Sequence, residues 1–199
     1  AYGFDAPDPL ADSSGNGNAA SCSQCPAWIN DRHDIGQAAL FDGDDDVVTM
    51  PSIGTGSFTV MAWVRMDSDT GLACPINRPF GGTPYNTYQL CMRVPAAGVG
   101  RVYFYTEANP RQMFADVVME IGSWHHAAIR LDGTSKTISW DGSDQVTSPG
   151  ETSFDQSEIR LGNDLDGEDI VAPFTGALDT VEIWQGALSE EEIALAAGL

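Results

Sequence analysis

The stretch Ser57-Phe-Thr-Val-Met-Ala-Trp-Val-Arg-Met66 decides the fold class of this 199-residue chain. Every second side chain from Phe58 to Met66 is apolar. Successive side chains of a strand point to opposite faces, so this period of two predicts a strand with one face in a core. Similar short runs recur between Asp-Gly, Gly-Gly and Asn-Pro turn signals. The pattern predicts strands over residues 39–42, 46–50, 57–66, 88–94, 101–106, 113–119, 124–131, 137–140, 158–161 and 178–184.

A helical pattern stands at the end of the chain. Ser189 precedes Glu192 by three residues, which is the spacing of a capping box, and Gly198 is placed to end the helix. Many short strands followed by one short helix predict an all-β fold of two antiparallel sheets. No linker-like stretch follows residue 36, so we expect a single domain over residues 1–199.

The composition excludes several classes of partner. Nine Lys and Arg residues stand against 29 Asp and Glu residues, which gives a formal net charge of −20. Such a charge repels phosphate and argues against binding to nucleic acid or anionic lipid. No apolar run approaches the roughly 20 residues that span a bilayer, so no membrane insertion is expected. Two explanations of the acidity stay open: calcium-binding loops, or a surface adapted to a salty medium.

Four cysteines stand at positions 22, 25, 74 and 91. Residues 80–85 have turn chemistry, and pairing residue 79 with residue 86 across them places Cys74 opposite Cys91. Cys22 and Cys25 then pair with each other by exclusion. A zinc site on the latter two is the alternative, although a second ligand pair at suitable spacing is missing. Two disulfides indicate an oxidising compartment, so we expect a secreted, extracellular or cell-surface location. The initial Ala1 suggests a processed product or an excised domain.

Several blocks of the sequence, taken in order, resemble one family. They are Ala38-Ala-Leu-Phe-Asp-Gly-Asp-Asp-Asp-Val-Val-Thr-Met-Pro51, Phe58–Arg65, Trp124-His-His-Ala-Ala-Ile-Arg-Leu-Asp-Gly133, Ile138-Ser-Trp-Asp-Gly142 and Phe174–Ile193, with Tyr2–Asp5 and Asp12–Asn18 at the start. Together they resemble the laminin-G-like, concanavalin A-like jelly rolls of secreted bacterial proteins. The resemblance implies a two-sheet antiparallel jelly-roll sandwich with roles in binding and adhesion, and it leaves the ligand undefined.

The same resemblance implies one structural calcium ion. The matching ligand positions are Asp12, Asn16, Asp42, Gly43 and Asp179. Asp179 lies in an otherwise apolar strand, where a buried carboxylate must be paired or bound. The alternative is that Asp12 and Asp42 form Asx turns and that Asp179 meets an arginine. Residues 163–169 are a weaker second candidate, because Gly167 has the wrong offset for an EF-hand loop.

Signals for catalysis are missing. Glycanases of this fold carry paired carboxylates on alternate positions of one strand, and the chain has no Glu-x-Asp-x-x-Glu run. It has no Gly-x-Ser-x-Gly elbow either. His125 and His126 are adjacent in a strand pattern and therefore point to opposite faces. We expect a protein that is not an enzyme.

The strand alternation also outlines a binding face. In the strands 88–94 and 101–106 the apolar set points to the core, which turns a polar and aromatic set outward. That set is Gln89, Arg93, Arg101, Tyr103 and Tyr105. Aromatic rings stack on sugars and planar polar groups bind their hydroxyls, so we expect a carbohydrate or glycoprotein ligand. An ordinary solvated sheet face is the alternative interpretation. The alternative function is a self-assembling filament or matrix subunit, whose partner is another copy of itself.

Overall fold

The computed structural model describes residues 1–5, 7–69, 71–81, 83, 85–166 and 169–199. These residues form sixteen strands and one helix. The elements are β1 (Ser21–Gln24), β2 (Ala27–Asn30), β3 (Gln37–Asp42), β4 (Val47–Met50), β5 (Phe58–Met66), β6 (Ala73–Pro79), β7 (Asn86–Ala96), β8 (Val99–Tyr105), β9 (Gln112–Val117), β10 (Trp124–Leu131), β11 (Ser135–Trp140), β12 (Ser143–Pro149), β13 (Ile159–Leu161), β14 (Asp164–Asp166), β15 (Asp169–Val171), β16 (Thr175–Gln185) and α1 (Glu190–Ala197).

Two seven-stranded antiparallel sheets stack on each other. Sheet A has the strand order β1-β4-β13-β6-β7-β8-β9, and sheet B has the order β12-β11-β10-β5-β16-β3-β2. Strands β14 and β15 form a separate two-stranded hairpin. This architecture confirms the predicted jelly-roll sandwich with a short helix at the end of the chain. No helix in the described part of the chain is long and apolar enough to cross a membrane.

The core lies between the two sheets. From sheet B, the alternate residues of β5 that begin at Phe58 and end at Met66 all enter it, as the period of two predicts. From sheet A, the predicted inward set of β7 and β8 enters it, which consists of Tyr88, Leu90, Met92, Val102 and Phe104. The Phe58 ring lies 4.6 Å from the Tyr88 ring and 6.1 Å from the Phe104 ring. These contacts join the sheets through aromatic side chains.

The outer face of sheet B is covered as well. Helix α1 packs its Ile193 against Met61 of β5 and Ala128 of β10. The predicted capping box is present, because the Ser189 side chain accepts from the Glu192 backbone N–H while the Glu192 carboxylate accepts in return. Gly198 ends the helix in the left-handed conformation, with φ 74°. The face of β5 opposite the core is therefore largely buried, which the alternation in the sequence does not reveal.

Several strands were not predicted because they are only four residues long or carry few apolar residues. Strand β12 alternates between exposed and half-exposed side chains at the edge of sheet B, and Val146 is its single aliphatic residue. The short strands β1 and β2 lie at the ends of the two sheets, and both are mostly exposed. Strands at a sheet edge have only one neighbour and bury less surface, so hydrophobic periodicity does not mark them.

Candidate functional site

The predicted binding residues lie together on the outer face of sheet A. In the register of the sheet Gln89 pairs with Tyr105, and Arg93 pairs with Arg101. Between these two pairs lies a row that runs from Cys91 through Tyr103 to Phe114 of β9. We call the five predicted residues together with Phe114 the tyrosine face. The alternation of the strands thus brings all five predicted side chains onto one surface.

Aromatic rings form the centre of the tyrosine face. The rings of Tyr103 and Tyr105 are stacked with centroids 5.7 Å apart, and the Tyr103 ring lies 6.0 Å from that of Phe114. Phe114 is 45% exposed, whereas Tyr103 is only 5% exposed. The accessible aromatic surface therefore comes from Phe114 and the half-exposed Tyr105. Phe114 was not among the predicted binding residues, although its place in an alternating strand beside Tyr103 was a usable signal.

The hairpin β14–β15 covers one side of this face. The Asp164 carboxylate accepts hydrogen bonds from the side-chain amides of Gln89 and Asn86. Ala172, which follows β15, packs against the Cys74–Cys91–Tyr103 cluster and accepts a hydrogen bond from the Cys74 backbone N–H at 2.9 Å. Gln89 is in consequence only 8% exposed. Burial raises the pKa of Asp164. The weak calcium candidate over residues 163–169 overlaps this hairpin, and its Gly167 and Glu168 lie outside the described residues.

Two arginines border the rings, and they differ in whether they form an ion pair within the protein. Arg101 forms a two-point ion pair with Asp116, with distances of 2.6 and 3.1 Å, and its guanidinium lies 4.1 Å from the centroid of the Phe114 ring. Arg93 forms no salt bridge within the part of the chain that the structure describes, and its Nε is buried without a hydrogen-bond partner there, so a ligand would reach its terminal nitrogens. The Arg93 guanidinium lies 5.9 Å from the Tyr103 ring. Arg93 is therefore the cation of this face that can bind a ligand without breaking an ion pair.

Both disulfides are present as predicted. Cys74 and Cys91 are joined with their Cα atoms 4.0 Å apart, and Cys22 and Cys25 are joined with theirs 5.1 Å apart. Ala73 pairs with Met92 in the ladder between β6 and β7, which places Cys74 opposite Cys91. The chain contains no free cysteine, so the zinc alternative is wrong.

The residues predicted as calcium ligands lie in different environments. Asp179 binds Arg32 and accepts a hydrogen bond from the Thr180 hydroxyl at 3.0 Å, and burial raises its pKa. Asp12 accepts from the backbone N–H groups of Ser14 and Asn18 at 2.9 and 3.0 Å, and hydrogen bonds from these residues lower its pKa. N–H and O–H donors within the protein thus already bind these two carboxylates. The Asn16 side-chain amide donates to the Ser14 hydroxyl at 3.0 Å.

The turn after β3 offers a better set of oxygens. One oxygen each of Asp42, Asp45 and Asp46 lies within 4.8 Å of the others, and this is the group of potential metal ligands found among the described residues. Burial and the neighbouring carboxylates of Asp42 and Asp45 raise the pKa of Asp46. Gly43 adopts φ 83°, and a Cβ there would collide with the Thr175 side chain. Each of these three carboxylates also accepts one N–H hydrogen bond, from Asp44, Gln24 and Asp42 respectively. What distinguishes them is that they converge, which fits a hard cation such as Ca²⁺, whereas Asp12 and Asp179 do not join them.

The two adjacent histidines pack against tryptophan rings of the fold. The His125 Nδ1 lies 2.9 Å from an Asp141 carboxylate oxygen, and the His125 ring stacks on Trp140 at 4.8 Å. His126 is buried against Trp63, and desolvation lowers its pKa to about 4. In the described part of the chain, no hydrogen bond joins either histidine to a serine, threonine or cysteine side chain.

Comparison with known proteins confirms the jelly-roll fold described above. A laminin G family model, described as the concanavalin A-like lectin/glucanases superfamily, matches residues 41–194. No curated protein sequence matches the chain.

Solved structures with the same fold come from several contexts. Domain 4 of AbnA, an extracellular arabinanase from Geobacillus stearothermophilus solved with arabinotriose, is similar with TM-score 0.73 and 18% identity, over 98% of this chain and 96% of that one. A heptameric SAP-like pentraxin from Limulus polyphemus is similar with TM-score 0.67 and 16% identity, over 79% and 80%. The botulinum neurotoxin serotype D binding domain is similar with TM-score 0.66 and 13% identity, over 94% and 48%. At these identities the likeness concerns the fold alone.

Proposed function

The chain belongs to the concanavalin A-like lectin/glucanases superfamily, and on this premise we propose that it is a non-catalytic carbohydrate- or glycoprotein-binding module that acts outside the cell. The observation that carries the proposal is the open part of the tyrosine face. There an exposed aromatic ring, Phe114, adjoins the half-exposed Tyr105 and the unpaired guanidinium of Arg93. Two intramolecular disulfides fit an oxidising, extracellular location.

The chemistry of this surface matches that of a sugar ring. The C–H face of a sugar packs on an aromatic ring, and its hydroxyls accept from the planar donors of a guanidinium. The Arg101 guanidinium lies over the Phe114 ring and the Arg93 guanidinium lies over the Tyr103 ring, so cationic groups adjoin the aromatic surface. Arg101 is held by Asp116, and it keeps the Phe114 ring in place from one side. A ligand would therefore stack on Phe114 and Tyr105 and reach Arg93 with a hydroxyl or acidic group.

Relatives of the same fold support this choice of ligand. One was solved with arabinotriose and another is described as a toxin binding domain, and both are similar to this chain in fold. The test is a glycan array probed with the wild type, Arg93→Ala and Tyr105→Ala. We expect both substitutions to weaken the glycan signals. Arg65→Ala, on sheet B and paired with Asp67, is the matched control. Glycan signals that survive both face substitutions would refute the tyrosine face as the site.

We also propose that a calcium ion binds at the turn 42–46 and stabilises the sandwich. Asp42, Asp45 and Asp46 would hold the ion, which would neutralise their mutual repulsion. The expected result is a melting temperature that falls on treatment with a chelator and recovers with added calcium. Asp45→Asn should reduce that response. A melting temperature that is unchanged by the chelator, together with no heat of calcium binding in calorimetry, would refute this proposal.

A self-assembling subunit is the second candidate function. The observation that favours it is a group of exposed apolar side chains at and beside the edge strand β9, formed by Val99, Phe114, Val118 and Ile121. Edge strands with apolar neighbours can pair with another copy of the chain. Sedimentation velocity at rising protein concentration tests this function. Sedimentation as a monomer throughout would leave the binding module as the sole candidate.

A further inference from the structure

A second concave surface lies away from the tyrosine face. It is a cleft of about 540 Å³ between the loop of residues 12–18 and the end of strand β16 in sheet B. The side chains that matter here are Ser14, Asn16, Asn18, Ile53, Trp184 and Gln185. None of them belongs to sheet A or to the tyrosine face. The volume is within the range of ordinary small-ligand sites, roughly 300 to 1,000 Å³.

One wall of the cleft is an exposed indole. Trp184 is 46% exposed, and it lies near the end of β16 in register with Thr59 of β5. Its Nε1 donates to the Glu182 carboxylate at 2.7 Å. That hydrogen bond fixes the orientation of the ring and leaves a flat apolar surface facing solvent. Because this side chain is already held in one orientation, a ligand that stacks on it causes little further loss of side-chain conformational entropy.

The opposite wall is a polar loop that is held in place. The Asp12 carboxylate accepts from the backbone N–H groups of Ser14 and Asn18, and the Tyr2 hydroxyl donates to the Asn18 carbonyl. Gly15 adopts φ 78°, which the sharp turns of this loop require. The exposed amide of Asn16 is oriented by its bond to the Ser14 hydroxyl. Donors and acceptors therefore face the indole from a constrained backbone.

The charges around the cleft restrict the chemistry of its ligand. No lysine or arginine side chain is among its described lining residues; the charged groups there are the carboxylates of Asp12 and Glu182 and the Ala1 ammonium, which lies 3.2 Å from an Asp12 oxygen. The acidic lining and the net charge of −20 disfavour an anionic ligand. Both carboxylates already accept hydrogen bonds within the protein, which weakens their attraction for a cation. A flat aromatic surface opposite amide groups suits a neutral ring that carries hydroxyls.

We propose that this cleft is a second saccharide site, which takes one neutral sugar residue by stacking on Trp184 and by hydrogen bonding to the side-chain amides of Asn16 and Gln185. The proposal does not depend on ligand binding at the tyrosine face. A chain with two sites on different sheets would bind a polymer or a glycosylated surface more tightly than either site alone.

The test compares variants on an array of neutral, uronate-containing and sulfated oligosaccharides. We expect Trp184→Ala to lose a set of neutral glycans and Trp184→Phe to retain part of that set. For a glycan of this set, calorimetry should show a Kd for Trp184→Ala that is higher than the wild-type Kd by about tenfold or more. Asn16→Ala, a change in the exposed loop, should weaken the same glycans. Leu195→Ala is the matched control, because its apolar side chain is also exposed but lies neither in the cleft nor on the tyrosine face.

The outcomes separate this proposal from the main one. Loss of neutral glycans in Trp184→Ala with retention in Leu195→Ala supports the cleft even if the tyrosine face binds nothing. The second site is overturned if Trp184→Ala keeps the neutral-glycan profile of the wild type, or if the wild type binds no neutral glycan. It is also overturned if tetramethylammonium changes the fluorescence of the wild type but not of Trp184→Phe, since the indole then serves a cation.

Discussion

The outer faces of the two sheets differ in what covers them. On sheet B, helix α1 buries Met61 and Ala128, and Asp179 is paired with Arg32 beneath the surface. On sheet A, the hairpin β14–β15 covers only one side of the tyrosine face, and Phe114 stays exposed. The sandwich builds its core mainly from the two inner faces, and Tyr2, Phe4, Met119 and Phe174 add to it from segments outside the strands. Much of the outer face of sheet B, here called the closed face, therefore adds to stability, and Trp184 near the end of β16 is its exposed aromatic residue. The tyrosine face, here called the open face, leaves aromatic and cationic groups accessible to a ligand.

The largest effect expected on the closed face comes from Arg32→Ala. This change leaves the Asp179 carboxylate buried without its cation, which should lower the free energy of unfolding by about 4 kcal/mol. Denaturant titration measures it. Arg65→Ala is the control, because the Arg65–Asp67 pair is partly exposed and its loss should cost less than about 1 kcal/mol. Equal losses for both variants would show that Asp179 is not stabilised as a buried pair.

The Cys74–Cys91 disulfide joins two neighbouring strands at the open face. Replacing both Cys74 and Cys91 with alanine should lower the free energy of unfolding by about 3 kcal/mol, because the bond closes a loop of intermediate length. The matched variant removes Cys22 and Cys25, which are three residues apart and mostly exposed, so its effect should be smaller. If the variant without Cys22 and Cys25 is the less stable of the two, the Cys74–Cys91 disulfide is not the more important bond for stability.

Helix α1 offers a sharper test of the closed face. Ile193 is fully buried against sheet B, and Ile193→Ala should destabilise the protein by about 2 to 3 kcal/mol. Leu195, two residues along the same helix, is 77% exposed. Leu195→Ala should therefore change the free energy of unfolding by less than about 0.5 kcal/mol. Similar losses in thermal melts of the two variants would mean that the helix does not pack as described.

The buried histidine makes the closed face sensitive to acid. The pKa of His126 is lowered to about 4 in the folded protein, against the usual 6.5. Between these values the unfolded chain binds a proton that the folded chain does not. Stability should therefore fall as the pH drops from 6.5 to 4, with a contribution from this group of about 1 kcal/mol per pH unit. The difference between wild type and His126→Gln isolates that contribution, and parallel pH profiles would contradict it.

Only a small effect on stability is expected at the open face. Phe114→Ala removes a ring that is half in solvent, so the free energy of unfolding should change by less than about 1 kcal/mol. Glycan binding at the tyrosine face should fall in the same variant because the stacking surface is lost. A large loss of stability would instead give Phe114 a structural role and remove the contrast between the two faces.

Local patterns in the sequence determined much of the fold. The period of two in residues 57–66 identified β5 and its inward set, and Ser189 with Glu192 marked the start of α1. The turn signal at residues 80–85 placed Cys74 opposite Cys91. Each of these features depends on neighbours within one strand, turn or helix, so the order of residues was sufficient. The alternation likewise put all five predicted binding residues on one face.

Only the tertiary structure decided what lies above each face. Gln89 and Tyr103 point away from the core as predicted, yet the hairpin from more than 60 residues later and neighbouring rings cover them. Asp179 meets Arg32 across 147 residues of sequence, and Trp184 forms a cleft with a loop near the start of the chain. Alternation reports the side to which a side chain points. Its burial and partners depend on segments that are distant in sequence and become neighbours only when the sheets pack.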